Sequence, residues 1–170
     1  MTRNYEFSVQ VTELDIKNEA QLKRLNNDAI TIVPFASNGL IMLSVEIAAE
    51  SPESAFSAFK SFLHEYASDI KIKRVDLDLV SLSQIAERLD VTREAVRLWA
   101  IGERRKGFPE PFTSAGQSLL WAWSEVFGWL TEEEIQGDPL PLPINLIEHS
   151  NGVYARNRKS ATPSMALASA

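Results

Sequence analysis

The chain has 170 residues, 17 Lys+Arg against 23 Asp+Glu, two His, no Cys and 45% hydrophobic residues, which excludes fibrous and disordered classes and large multidomain machinery. The net charge of −6 weighs against nonspecific coating of nucleic acid, and the lack of Cys removes disulfides, thiolate zinc sites and a Cys nucleophile. No window approaches the ~18 apolar residues of a membrane span and the N-terminus has no uninterrupted apolar core, so no membrane partner and a cytoplasmic location are expected.

Residues 5–12 set Tyr5, Phe7, Val9 and Val11 against Glu6, Ser8, Gln10 and Thr12, a period of two that predicts a half-buried strand. Residues 17–26 predict a short, weakly amphipathic helix around Ala20, Leu22 and Leu25. Residues 29–36 and 40–48 are β-rich runs joined by Ser37-Asn38-Gly39, and Asn-Gly supplies the positive φ angles of a tight hairpin. Ser51-Pro52-Glu53 combines an N-cap hydroxyl, a first-turn proline and an acid, so a helix should start there. Phe56, Phe59, Leu63 and Tyr66 would lay its aromatic stripe on the sheet, and residues 70–79 predict a closing strand in which Val75, Leu77 and Leu79 alternate with Asp76 and Asp78. The order is β-α-β-β-α-β, a ferredoxin-like unit over residues 1–79 within an α+β fold class. That fold hosts many functions, and this half carries no Gly-rich phosphate loop, paired acids or His cluster.

The character changes at Val80. In SLSQIAERL, Ser81 and Gln84 have capping-box spacing and Leu82, Ile85, Ala86 and Leu89 share one face. Asp90-Val91 reads as a turn, and Thr92 caps a second helix running to about Trp99 or Ile101. Two short helices joined this tightly cross steeply, with Ala86 permitting close approach. The pattern fits a helix-turn-helix.

VSLSQIAERLDVTREAVRLW is followed by Gly102-Glu103-Arg104-Arg105-Lys106-Gly107, then Phe108-Pro109-Glu110-Pro111, a turn at Gly116, Trp121-Ala122-Trp123 and Trp129-Leu130. This ordering resembles the MerR/excisionase-type winged helix-turn-helix: two helices, a hairpin wing carrying FPxP, and a third helix after W-x-W. The whole chain is similar to small actinobacterial DNA-binding regulators with an N-terminal α+β segment. Residues 80–137 are therefore expected to be the DNA-binding domain. Asp90 stands where relatives commonly have Gly, though Asp tolerates the left-handed region. Leu119-Leu120 replaces a frequent basic residue, which removes an expected wing contact to phosphate.

The resemblance implies that the start of the second helix enters the major groove of double-stranded DNA, with Thr92, Arg93, Glu94 and Arg97 at base-reading positions. Arg can pair bidentately with guanine and Glu can accept from cytosine N4. Charge pattern alone gives a blander reading, a solvated helix face with weak ion pairs. From Arg93 to Lys106 five basic residues face two acidic ones, a local +3, and Arg104, Arg105 and Lys106 could neutralise phosphates. Ser83 and Gln84 could touch the backbone, with capping their main task.

Trp121 and Trp123, read as alternating on a strand, and Trp129 on the following helix suit core packing better than base stacking. His64 and His149 have no ligand spacing, so no metal, cofactor or catalytic set is expected. Glu132-Glu133-Glu134 reads as an acidic helix surface. Pro139, Pro141 and Pro143 predict a linker opening residues 138–170, followed by a short helix around Ile144, Ile147 and Tyr154 broken at Asn151-Gly152; Arg156, Arg158 and Lys159 could brush DNA, and residues 160–170 read as a mobile end. The expected function is a sequence-specific DNA-binding regulator acting as a homodimer, the ferredoxin-like half supplying dimerisation or effector sensing. The alternative is an antitoxin-like or excisionase-like component whose work is a protein partner or an assembly.

Overall fold

The computed structural model describes residues 1–161 of an α+β protein. The chain runs β1 (Arg3–Thr12), α1 (Glu19–Leu25), β2 (Ile30–Ser37), β3 (Leu40–Ala49), α2 (Pro52–Tyr66) and β4 (Lys71–Val75). It continues with β5 (Leu79–Val80), α3 (Leu82–Arg88), α4 (Arg93–Ala100), β6 (Thr113–Ala115), β7 (Ser118–Ala122), α5 (Trp123–Trp129), β8 (Leu140–Pro141) and α6 (Ile144–Ala161).

The first sheet has the order β2-β3-β1-β4 with these neighbours antiparallel. Its register sets Tyr5 opposite Ile47, Phe7 opposite Val45 and Val9 opposite Leu43, so every second residue points into one apolar layer. Asn38 and Gly39 take φ of 49° and 80°, the double left-handed turn that closes β2 on β3. Leu25 of α1 and Phe56, Phe59 and Leu63 of α2 bury into that layer. α2 begins as its cues require: the Ser51 hydroxyl accepts from Ser54 N, and Ser54 Oγ accepts from Ser51 N. The aromatic stripe differs at its end, because Phe62 is buried while Tyr66 is 49% exposed.

The closing strand is shorter than its alternation suggested. β4 stops at Val75, and Asp78 takes φ +48°, which a continuing strand does not allow. Leu79 and Val80 join a second sheet, pairing with Ala122 and Trp121 of β7, and Asp78 O accepts from Trp123 N at 3.0 Å. The period of two persisted across the break because each half is locally extended.

The segment after Gly137 is the larger correction. Residues 140–141 are not linker but a strand that pairs in parallel with Tyr5 and Glu6, along the part of β1 that β4 leaves uncovered. A two-residue edge strand tolerates the missing N–H of Pro141. α6 runs unbroken through Asn151-Gly152, and Leu142 and Ile147 belong to the first core. Asn151 is where the helix grips the sheet: its Oδ1 accepts from Val75 N at 2.7 Å and its Nδ2 donates to Val75 O at 2.9 Å. The side-chain amide thus stands in for a neighbouring strand at the edge of β4. Arg158 donates to Lys73 O farther along, so its guanidinium is engaged with the sheet. Of the expected mobile end, residues 162–170 lie outside the described residues.

Candidate nucleic-acid interface

α3 and α4 are organised by local sequence. The Ser81 hydroxyl accepts from Gln84 N, and Gln84 Oε1 accepts from Ser81 N at 2.8 Å, so Gln84 is a capping residue and Ser83 beside it is exposed. The Thr92 hydroxyl caps α4 by accepting from Ala95 N at 3.1 Å. Asp90 between the helices takes φ +50°, so it occupies the left-handed turn position despite carrying a Cβ. Val91 N donates to Ala86 O at 3.0 Å and closes the turn. Ile85, Ala86 and Val96 bury against Val80, Trp121 and Val126, which fixes the outward face of α4.

That face carries Arg93, Glu94 and Arg97, all exposed. Arg93 makes no ion pair with a described residue, whereas Arg97 grips Glu94 through Nε at 2.8 Å and Nη2 at 2.7 Å. The paired guanidinium holds the Glu94 carboxyl below its usual range, and Glu94 raises Arg97 in turn. Solvent and salt weaken such an exposed pair, so a phosphate or a guanine edge can compete for Arg97.

The basic run after α4 divides by geometry. Arg105 turns inward: Nη1 donates to both Glu134 oxygens at 2.8 and 2.9 Å, Nη2 donates to Trp129 O, and the guanidinium lies 3.6 Å from the Trp129 ring centroid. Its charge is matched within the protein. Arg104 and Lys106 are exposed and make no ion pair with a described residue. Glu132, Glu133 and Glu134 lie in turns rather than on a helix, because Glu134 folds back to accept from Thr131 N and Oγ1 as well as Arg105. These donors together hold its carboxyl below the ordinary value, the Thr131 backbone N–H most of all.

The tryptophans are structural. Trp99, Phe108 and Trp129 stack at centroid distances of 4.9–6.4 Å, Trp121 meets Phe108 edge-on, and the indole N–H groups of Trp121 and Trp129 donate to Pro109 O and Lys106 O. Trp123 is the first residue of α5, not a strand residue; it lies under Arg88, whose guanidinium is 4.8 Å from its ring centroid. β6 and β7 form an exposed hairpin around Gly116, and from Thr113 to Leu120 it carries no charge. His64 and His149 stay apart from any acidic cluster, and no group of metal-ligating side chains occurs among the described residues.

Arg88, Asp78, Ser124 and Asn151 gained no role from sequence pattern. Arg88 could be suspected only from two acids ten and twelve residues upstream, Asp78 and Asp76, which helix periodicity does not connect to it. No helix among the described residues is long and apolar enough to cross a membrane. No protein-family model, curated protein or solved structure matches the chain.

Proposed function

We propose that this protein is a sequence-specific double-stranded DNA-binding regulator, with residues 1–79 a ferredoxin-like unit and residues 80–137 a winged helix-turn-helix of the MerR/excisionase type. The observation that carries the reading is the joint geometry of α3, the left-handed Asp90 turn and α4, which turns Arg93 outward at the start of α4 with Arg104 and Lys106 following. The β2-β3-β1-β4 order with both helices against one face supports the first assignment, and the β6–β7 hairpin after α4 supports the second.

In this reading α4 lies in the major groove. Arg93 contacts a base edge, Arg97 exchanges Glu94 for DNA, and Arg104 and Lys106 sit on phosphates, while Arg105 holds the loop that presents them. Three unpaired cations bind weakly alone, so two copies act together on a repeated site. The neutral hairpin, with Leu119 51% exposed, favours a second reading in which the module serves an assembly with a protein partner.

Gel-shift titration on genomic fragments at two salt concentrations separates them. A regulator retains one or a few fragments selectively and loses them in Arg93→Ala. Equal, weak retention of all fragments by wild type and variant contradicts the proposal.

A further inference from the structure

The edge of β1 is covered in two pieces, by β4 along Val9–Thr12 and by β8 along Tyr5 and Glu6. A half-enclosed cleft of about 470 Å³ opens where these pieces meet. It is lined by Glu6, Phe7 and Ser8 of β1, by the two connections between the units, and by Arg88, Trp123 and Phe127. The volume is that of a small-molecule site, which typically occupies roughly 300–1,000 Å³.

The charge of the lining is one-sided. Glu6, Asp76, Asp78 and Asp138 face a single guanidinium, that of Arg88. Arg88 is already bound, donating from Nη1 and Nη2 to both Asp78 oxygens at 2.7 Å, while Arg74 holds Asp76 at 2.9 Å. Glu6 and Asp138 have no ion-pair partner among the described residues. Burial, together with the carboxylates of Glu46 and Asp78, raises the Glu6 carboxyl above its ordinary value despite Arg88 nearby. Any cation entering the cleft relieves that repulsion.

Two further features narrow the ligand. Phe7, Phe127, Leu142 and Ile147 give the cleft apolar walls. Ser124 also lines the cleft, and its hydroxyl, shielded from solvent, has no hydrogen-bond partner among the described residues. Arg88 shows how a cation sits here, with a carboxylate fork on one side and the Trp123 ring on the other.

We propose that the cleft binds a small organic cation, an ammonium or amidinium on an apolar or aromatic body, which displaces Arg88 from Asp78 and Trp123. Arg88 is the last residue of α3 and Asp78 lies between β4 and β5, so the exchange replaces a direct tie between the sheet unit and α3 with a ligand-mediated one. The binding step does not depend on whether α4 reads DNA.

The test is an NMR titration of the full ¹⁵N-labelled chain, without DNA, using benzamidine against its neutral and anionic counterparts benzamide and benzoate. Benzamidine should bind about tenfold or more tightly than either counterpart, with shifts centred on the Trp123 indole and the Ser124 amide. Glu6→Gln and Asp138→Asn should each weaken it by about threefold or more, and Arg88→Gln should tighten it by a similar factor because the resident competitor is gone. Equal binding of benzamide or benzoate, shifts centred elsewhere, or an Arg88→Gln chain that binds no more tightly overturns the proposal.

Discussion

In the sheet unit a continuous apolar layer, with Val9, Leu43, Val45, Phe59 and Val75 fully buried, lies between strands and helices. In residues 80–137 the buried cluster of Val80, Ile85, Ala86, Val96, Trp121 and Val126 is smaller, and it is supplemented by an aromatic stack that Arg105 and Glu134 close from outside. The first is held chiefly by removing area from water, which is nondirectional. The second leans on directed contacts: indole N–H to carbonyl, guanidinium to ring, carboxylate to backbone N–H. A smaller unit has less area to bury, and polar ties of defined geometry fix the loop after α4 where packing alone would leave it slack.

That contrast can be broken at either end. Phe59→Ala, which empties the centre of the first core beside Phe7, should lower stability by about 3–5 kcal/mol in a denaturant titration. Asn151→Leu keeps the volume but strips both partners from the Val75 backbone, and should lower stability by about 1–3 kcal/mol and unprotect the Val75 amide in hydrogen exchange. Arg105→Gln should shift global stability less than either, yet change the near-ultraviolet dichroism of the tryptophans because Trp129 loses its covering cation.

The smallest expected effect is a pH dependence. Glu134 is held below its unfolded value, so its contribution is present above the unfolded carboxylate range and fades as pH falls through the lower folded value. Thermal melts from neutral pH down to strong acid should show part of the acid destabilisation missing in Glu134→Gln.

Elements governed by periodicity were legible in sequence: Tyr5 to Val11 as a one-faced strand, Ser51-Pro52-Glu53 as a helix start, Thr92 as the cap of α4. The strand break at Asp76–Asp78 was not, because alternation continues through it and only the positive φ of Asp78 reveals the turn. Nor was α6, since Asn151-Gly152 has the composition of a helix stop and its retention depends on Val75, distant in sequence. At the candidate interface the residue types and the helix face were readable, but the division of the basic run was not. Nothing local distinguishes inward Arg105 from outward Arg104; the difference is Glu134 and Trp129, more than twenty residues away.

The central claim is that α4 reads DNA through Arg93 and Arg97. It is tested most directly by selecting bound duplexes from a randomised library with wild type and with the Arg93→Ala/Arg97→Ala double variant, then titrating the enriched sequence against salt. The account predicts a repeated motif enriched only by wild type, and a log–log salt slope of about −2 per protomer for the phosphate contacts of Arg104 and Lys106, steeper if Arg97 takes a phosphate as well. No enriched motif, or the same motif from both proteins, would contradict it.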